Sequence, residues 1–291
     1  MRKSEIHMHS TMSDGEFNPA KLVEFAQQYG VSILSLTDHD TFEGIGEFLK
    51  AAESTPISAF PGIEITTRYK NINVHLLGYF KDAKSIDPEL RKEVKEMFEK
   101  RENRMRELVD QINRVVPEAW RGKIRFENVR KAAEGVLARP HLAREMTRLG
   151  IVASTGEAFE RYLVPYNVER ENLPIEQAIA LVRRGGGIPV LAHPGERTYS
   201  IHNPAKGLDF EGIPRRLEEL KSFGLMGLEC VYPYHEKTSM VEYFTDLAKK
   251  LGLIVTGSRD FHGYTTYQQP KILGTTRLDD VFFDQFQEAW G

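Results

Sequence analysis

From Ser4 to Asp82 the apolar positions alternate between two periods, and the order they predict is strand, helix, strand, helix, strand, strand. Residues 4 to 10 make a short strand candidate. Asn18 then caps a helix that opens with Pro19, in which Leu22, Phe25, Ala26 and Tyr29 share one apolar face before Gly30 closes it. "VSILSL" is a nearly continuous apolar run, as expected of a strand covered on both faces, and it leads directly into "TDHD". "ISAFPGIEI" and "INVHLLGYF" are two further strand candidates, carrying Glu64 and His75.

Between about residues 86 and 170 this alternation stops. Leu90, Val94, Met97, Arg101, Met105, Leu108, Ile112 and Val115 keep helical spacing and predict one long helix, with shorter helices expected around 127 to 134, 140 to 149 and 154 to 163. From Leu173 the alternation returns: helix 175 to 184, strand "IPVLAHP", helix 212 to 222, strand "GLMGLECV", helix 238 to 250 and strand "LIVTGSRDFH". Strands alternating with helices predict an α/β fold with a parallel sheet, and the number of units favours closure into a barrel. The expected organisation is a barrel built from 1–85 and 171–291, interrupted by a helical cap insertion at 86–170.

Composition narrows the function classes. With 291 residues, 41% hydrophobic and 28% charged, the chain can bury a large core. A net charge of -3 gives no basic field for nonspecific nucleic-acid binding, so no long duplex is expected as a partner. One cysteine, Cys230, excludes an internal disulfide and a thiolate zinc cluster, and fits a reducing cytoplasm. No apolar run reaches membrane-span length and no signal-peptide core opens the chain, so a cytoplasmic location is expected.

The candidate chemistry lies at the predicted strand ends: His7, His9, Asp14, His39, Glu64, His75, His193, Asp260 and His262. In a closed barrel the loops after the strands gather at one face, so residues far apart in sequence would share a small volume. In His7-x-His9 both side chains point to the same side of a strand, and a metal ion gives that crowding a purpose. Nitrogen and oxygen donors without sulfur suit zinc, manganese or iron, and the set is large enough for two or three divalent cations.

The segments "HMHSTMSDG", "LTDHD", "PGIEI", "NVHLLGY", "LAHPG" and "SRDFHG", in this order along nearly the whole chain, resemble the polymerase and histidinol phosphatase (PHP) family of metal-dependent phosphoesterases. The helical insert resembles the TrpH-like branch, which includes phosphatases of nucleoside 3',5'-bisphosphates and an exonuclease of short RNA. The resemblance implies a distorted (β/α)7 TIM-like barrel with a trinuclear site. It implies that His7, His9, Glu64 and Asp260 hold one metal, that Glu64 bridges to a second held by His75 and His193, and that Asp14, His39 and His262 hold the third. The chain departs from the pattern at Glu5, where aspartate is usual, and at Arg259, where serine is frequent; "VPYNVEREN" stands where relatives often carry a phosphate-binding lysine.

Such a site suits hydrolysis of a phosphate ester by attack of a metal-bridging hydroxide, with inorganic phosphate as product and His193 or Asp260 assisting proton transfer. Arg139 and His141 in "LARPHLAR", Arg197, His235 and Arg259 are the candidate substrate contacts. Tyr162, Tyr166, Tyr199, Tyr232 and Tyr234 are candidates for stacking on a base. The basic residues of the long helix, Arg101 and Arg104 among them, interleave with Glu93, Glu96, Glu99 and Glu102, which predicts a solvated face laced by ion pairs. The expected activity is a metal-dependent phosphoesterase acting on a small nucleotide, such as a 3',5'-bisphosphate, or on a short oligonucleotide. The alternatives are a phosphatase of a non-nucleotide metabolite such as histidinol phosphate, or a regulatory module without turnover.

Overall fold

The computed structural model describes residues 2–168, 171–196, 198–264 and 273–291. Its strands are β1 (Lys3–Glu5), β2 (Val31–Leu36), β3 (Ser58–Tyr69), β4 (Ile72–Tyr79), β5 (Leu173–Pro174), β6 (Ile188–Leu191), β7 (Gly227–Val231) and β8 (Ile254–Gly257). Seven of them form one sheet in the order β1-β2-β3-β4-β6-β7-β8, and β5 pairs with β3 beside that path. Beyond the two outer strands a parallel bridge joins Met8 to Phe261, with His9 N–H donating to Phe261 O at 2.8 Å and Phe261 N–H to His7 O at 3.2 Å. The ends of the sheet therefore meet, as a barrel requires.

One expectation needs correction: the sheet is not wholly parallel. β4 runs antiparallel to both β3 and β6. Only Lys70 and Asn71 separate β3 from β4, and Lys70 has φ 53°. So short a loop makes a hairpin, because a parallel return needs a dozen or more residues.

Helices α1 (Pro19–Gln28) and α2 (Ile45–Ala52) cover β2 and β3, and Asn18 caps α1 as its sequence predicts, accepting from Lys21 N–H at 2.8 Å. After β4 comes α3 (Pro88–Val115), followed by α4 (Phe126–Lys131), α5 (Arg139–Arg148) and α6 (Thr155–Ala158), the last continued by a π turn, Phe159–Leu163. The chain then returns to the sheet through α7 (Ile175–Arg184), α8 (Ile213–Ser222), α9 (Pro233–Lys237), α10 (Val241–Leu251) and α11 (Val281–Trp290). α9 and α11 have no counterpart among the helices expected from the apolar spacing. Phe282, Phe283 and Phe286 of α11 pack with Phe60 and Tyr79 in one core cluster, and Arg2, just ahead of β1, bonds Asp280 and Asp284, so α11 seals the end where β1 begins.

The long helix α3 belongs to two cores. Leu90, Val94 and Met97 pack with β3, β4 and α7, whereas Met105, Leu108, Val109 and Ile112 pack with α4, α5 and the π turn in a cluster of their own. No helix among the described residues is long and apolar enough to cross a membrane.

Candidate metal centre and the cavity beside it

His7 and His9 follow β1, His39 follows β2, Glu64 lies within β3, His75 on β4, His193 after β6, and Asp260 and His262 after β8. The fold brings all of them to one place. Glu64 is at the centre: its Oε1 is 2.8 Å from His75 Nδ1, 3.3 Å from His7 Nε2 and 3.3 Å from His193 Nε2, and its Oε2 is 2.9 Å from His39 Nδ1 and 3.3 Å from His9 Nε2. Asp260 Oδ1 stands 3.1 Å from His9 Nε2 and 3.3 Å from His7 Nε2; Asp14 Oδ1 stands 3.3 Å from His262 Nε2 and 3.9 Å from His39 Nε2. His193 and Asp260 both hold a left-handed backbone, at φ 26° and 49°, a strained conformation for residues with a side chain.

Two features of the cluster test whether these residues fit metal ions. First, His7 Nε2, His9 Nε2, His39 Nδ1, Glu64 Oε2 and Asp14 Oδ1 are buried atoms without a hydrogen-bond partner, which a folded chain avoids unless something else satisfies them. Second, the donor atoms fall into groups whose members all lie within 4.8 Å of one another: His7, His9, Glu64 and Asp260; His9, Asp14, His39 and His262; His39, Glu64 and His75. Two tetrahedral ligands at about 2.1 Å from a zinc-sized ion stand roughly 3.4 Å apart, close to the nitrogen-to-oxygen distances above. The fit is good. His193 falls in none of the three groups, although its Nε2 touches Glu64 and lies 3.3 Å from His75 Nδ1.

Electrostatics divide the imidazoles of the cluster: neighbouring carboxylates raise His7, His39, His193 and His262 against burial, whereas His9 and His75 are lowered. Burial works against the Glu64 carboxylate, but His75, His39 and His7 together hold it well below the usual range. Burial, reinforced by His262 and His39, pulls His9 down to about 3, and burial brings His75 to about 4, so both rings are held neutral, the form that binds a metal. His39 goes the other way: burial opposes its charge, yet Glu64 and Asp14 raise it to about 9.

Several supporting residues escaped the sequence analysis. Glu229, 1% exposed, places Oε1 3.0 Å from His7 Nδ1 and accepts from His193 N–H at 2.9 Å through Oε2, so one carboxylate orients two residues of the cluster. Its signal was present, since an acid interrupts the apolar run "GLECV". Asp38, within "TDHD", accepts from Ser10 N–H, Ser10 Oγ and Ser13 Oγ at 2.7, 2.6 and 2.6 Å and so shapes the loop that carries Asp14. Glu5 takes its hydrogen bonds outside the cluster. It is fully buried and accepts from Ser258 Oγ, Arg259 N–H, Gly274 N–H and Thr276 Oγ1, so its longer side chain anchors the segments that follow β8.

The cluster opens into a cavity of about 1130 Å³ whose remaining lining, its second wall, carries Arg68, Arg101, Arg104, Arg139, Arg144 and Lys206 beside Glu16, Glu134 and Glu196. Arg139 is there as the sequence suggests, held by Leu163 O at 3.3 Å and Asn167 Oδ1 at 3.5 Å. Arg104 is there as well, donating to Val168 O and Asn167 Oδ1 at 2.6 Å each; burial, with Arg139 nearby, lowers its guanidinium to about 10. Arg101 and Arg104 thus face the cavity and do not join the solvated ion-pair face predicted for α3. His141 lines the cavity, but its Nδ1 is engaged with Ala138 backbone, and burial beside Arg144 holds it near 4.

Two candidate contacts are placed elsewhere. His235, fully buried and stacked on Phe244, bonds Cys230 O at 2.9 Å through Nδ1 and accepts from Gly195 N–H at 3.0 Å, which makes it a brace for the "HPG" turn. Arg259 forks onto Glu236 at 2.6 and 2.7 Å. Neither lines the cavity. Arg197 lies outside the described residues. Of the five tyrosines, Tyr199 and Tyr232 line the cavity; Tyr199 stacks on His75 at 4.4 Å, and Tyr232 donates to Glu196 Oε1 at 2.8 Å. Tyr162 is buried in the core of the helical region.

The family model described as a PHP domain matches residues 5–158. A 5'-3' exoribonuclease from Haemophilus influenzae is 34% identical over 66% of this chain and 69% of its own length. A 3',5'-nucleoside bisphosphate phosphatase from Chromobacterium violaceum is 26% identical over 90% of this chain and 88% of its own. Among solved structures, a Bifidobacterium adolescentis protein provisionally named a metal-dependent phosphoesterase superposes with a TM-score of 0.82, covering 99% of this chain and 96% of that one at 24% identity, a likeness that bears on the fold.

Proposed function

The chain belongs to the PHP domain family and is a metal-dependent phosphoesterase, and we propose that its substrate is a nucleotide ester carrying a second phosphate one sugar away from the one removed. A nucleoside 3',5'-bisphosphate is the smallest such molecule and the 5' end of a short RNA the next. The observation that carries this reading is the shared cavity, whose lining joins the imidazoles and carboxylates of the cluster to a second wall with five arginines. A substrate with a single phosphate uses only the first wall. Arginine grips phosphate with two parallel hydrogen bonds, and here the guanidiniums stand in for the lysine missing from "VPYNVEREN".

In this reading His7, His9, Glu64 and Asp260 hold one cation, His75 and His193 a second together with Glu64, and Asp14, His39 and His262 a third. Manganese, zinc or iron suits the donors. Divalent cations in such a site offset phosphate charge and make water a nucleophile near neutral pH. The chain's own residues do the rest: Arg104 and Arg139 receive the remote phosphate, Tyr199 offers a flat face to a base, and His193 and Asp260 handle the proton passed to the leaving oxygen. Residues 86–170 act as the cap that brings these arginines over the barrel, and the second wall distinguishes this reading from a histidinol phosphate phosphatase.

Phosphate release is the test, with manganese-loaded protein and four substrates: adenosine 3',5'-bisphosphate, 5'-phosphorylated short RNA, histidinol phosphate and an aryl phosphate. Preference for the first two, abolished by His193→Ala, supports the reading. Equal turnover of all four would leave the metal chemistry standing and remove the role given to the arginine wall.

A further inference from the structure

Arg101 leaves α3 between the stretch that packs on the barrel, ending at Met97, and the stretch that packs in the helical core, beginning at Met105. It turns inward. Its Nε donates to Asp40 Oδ2 at 2.8 Å, Nη2 reaches the same oxygen and Thr66 Oγ1 at 3.0 Å, and Nη1 reaches Leu137 O at 3.4 Å. Asp40 is fully buried, directly follows His39 and has a left-handed backbone at φ 49°. Its Oδ1 accepts from Thr66 N–H at 2.6 Å, and its own N–H donates to Glu64 O at 2.9 Å. One carboxylate therefore binds the loop of His39 to the part of β3 that carries Glu64.

The helical region touches the metal loops at a second point. Val136 N–H donates to Met12 O at 2.8 Å, between His9 and Asp14. Gly135 lies so close that a side chain on it would overlap the Met12 carbonyl. Leu137, next in sequence, supplies the carbonyl held by Arg101.

We propose that Arg101 is a positioning residue for the metal centre: through Asp40 it sets His39 and Glu64, and with the 135–137 loop it makes docking of the helical region and cation binding favour one another. This rests on the metal reading above. Without the guanidinium the buried Asp40 loses this ion pair and the hold on the His39 loop weakens. Because coupling is reciprocal, bound metal tightens the docked loop as much as docking tightens the metal.

The test leaves substrate out. Mn(II) and Zn(II) affinities are measured by competition with a chromogenic chelator for wild type, Arg101→Gln, Arg101→Lys and Arg104→Gln, and exchange of the Val136 amide is followed with and without metal. Arg101→Gln is expected to bind metal about ten- to a hundred-fold more weakly, the usual cost of losing a group that orients ligands. Arg101→Lys recovers part of this, since an ammonium can meet Asp40 but cannot also span Thr66 and Leu137. Arg104→Gln keeps wild-type metal affinity, and metal slows Val136 exchange in wild type but not in Arg101→Gln. Wild-type metal affinity in Arg101→Gln overturns the proposal. Should Arg101→Gln fail to fold, Arg101→Lys and Gly135→Ala decide: weaker metal binding in both supports the coupling, and wild-type affinity in both overturns it. A wild-type protein that binds neither metal sinks the functional reading itself.

Discussion

The cluster wall of the cavity is made of short side chains that barrel loops and strands place within a few ångströms of one another, whereas the second wall is made of arginines on long stems, four carried by α3 and α5 and Arg68 by β3. On the first wall geometry is set by backbone: His7, His9, Glu64 and His75 sit on or beside paired strands, and Glu229 and Asp38 hold what the strands do not. On the second, position is set by hydrogen bonds such as those of Arg104 to Val168 O and Asn167. The difference teaches where chemistry and where selectivity belong. Reaction needs donor atoms fixed to fractions of an ångström, while holding a remote phosphate tolerates a longer, adaptable arm.

Breaking the first wall is expected to have the largest effect. Glu64→Gln removes the carboxylate shared by five imidazoles, so turnover should fall by about three orders of magnitude or more for every substrate, and metal content by elemental analysis should fall with it. A Glu64→Gln protein with full metal content and normal turnover would mean that the cluster is not the catalytic centre. Next in size is Glu229→Gln, which keeps the shape but weakens the hold on His7 Nδ1 and His193 N–H; metal affinity should drop by about ten- to a hundred-fold with little change in melting temperature. Loss of stability without loss of metal affinity would make Glu229 a core polar residue and nothing more.

These two walls were not equally legible in the sequence. The candidate ligands of the first follow recognisable strands, and the barrel rule places strand ends on one face, so His7, His9, Asp14, His39, Glu64, His75, His193, Asp260 and His262 could be named from the sequence. Asp38 and Asp40 stood in the same "TDHD" but have no ligand pattern of their own; only packing shows what they hold. The second wall was hidden for a physical reason. Arg101 and Arg104 share α3 with glutamates at helical spacing, and which side of a charged helix faces a cavity depends on the partner helices. Arg259 and His235 show the opposite error: a place beside a site residue, as for Arg259, or after a strand, as for His235, does not aim a side chain, and both turn to internal partners. The hairpin at Lys70 and Asn71 likewise escaped a rule that reads alternation as parallel pairing, because the two strand candidates left six residues between them and only the pairing of Thr66 to Tyr69 closes that gap to two.

The comparison sharpens with substitutions confined to the second wall. Arg139→Gln and Arg104→Gln should each weaken use of a bisphosphate by about 10- to 100-fold, as expected when one charge-assisted contact of about 1.5–3 kcal/mol is lost. The loss should appear mainly in KM, and turnover of a simple aryl phosphate should stay near wild type. Equal losses on both substrates would show that these arginines act on the reacting phosphate, and the division into two walls would fail.

The smallest effect concerns how α3, which carries Arg101 and Arg104, is pinned to the barrel. Asp87 caps it, accepting from Glu89 N–H at 2.8 Å and Leu90 N–H at 3.3 Å, and pairs with Arg184 of α7 at 2.5 and 2.7 Å. The Arg184 guanidinium, helped by those N–H groups against burial, holds the Asp87 carboxyl down at about 2. Arg184 is 56% exposed, so solvent screening and the cap together leave about 1 kcal/mol of stability in Asp87. A carboxyl whose folded value lies below its unfolded value of about 3.9 stabilises fully above that unfolded value, and the contribution disappears as pH falls from about 4 through about 2. The melting gap between wild type and Asp87→Ala should therefore be constant from pH 7 to 5 and narrow below 4. A gap that stays open at the lowest pH at which both proteins fold would assign Asp87 a packing role, with the charge incidental; a gap that closes would show that the start of α3 is held electrostatically, while its middle is held by Arg101 and the two cores it joins.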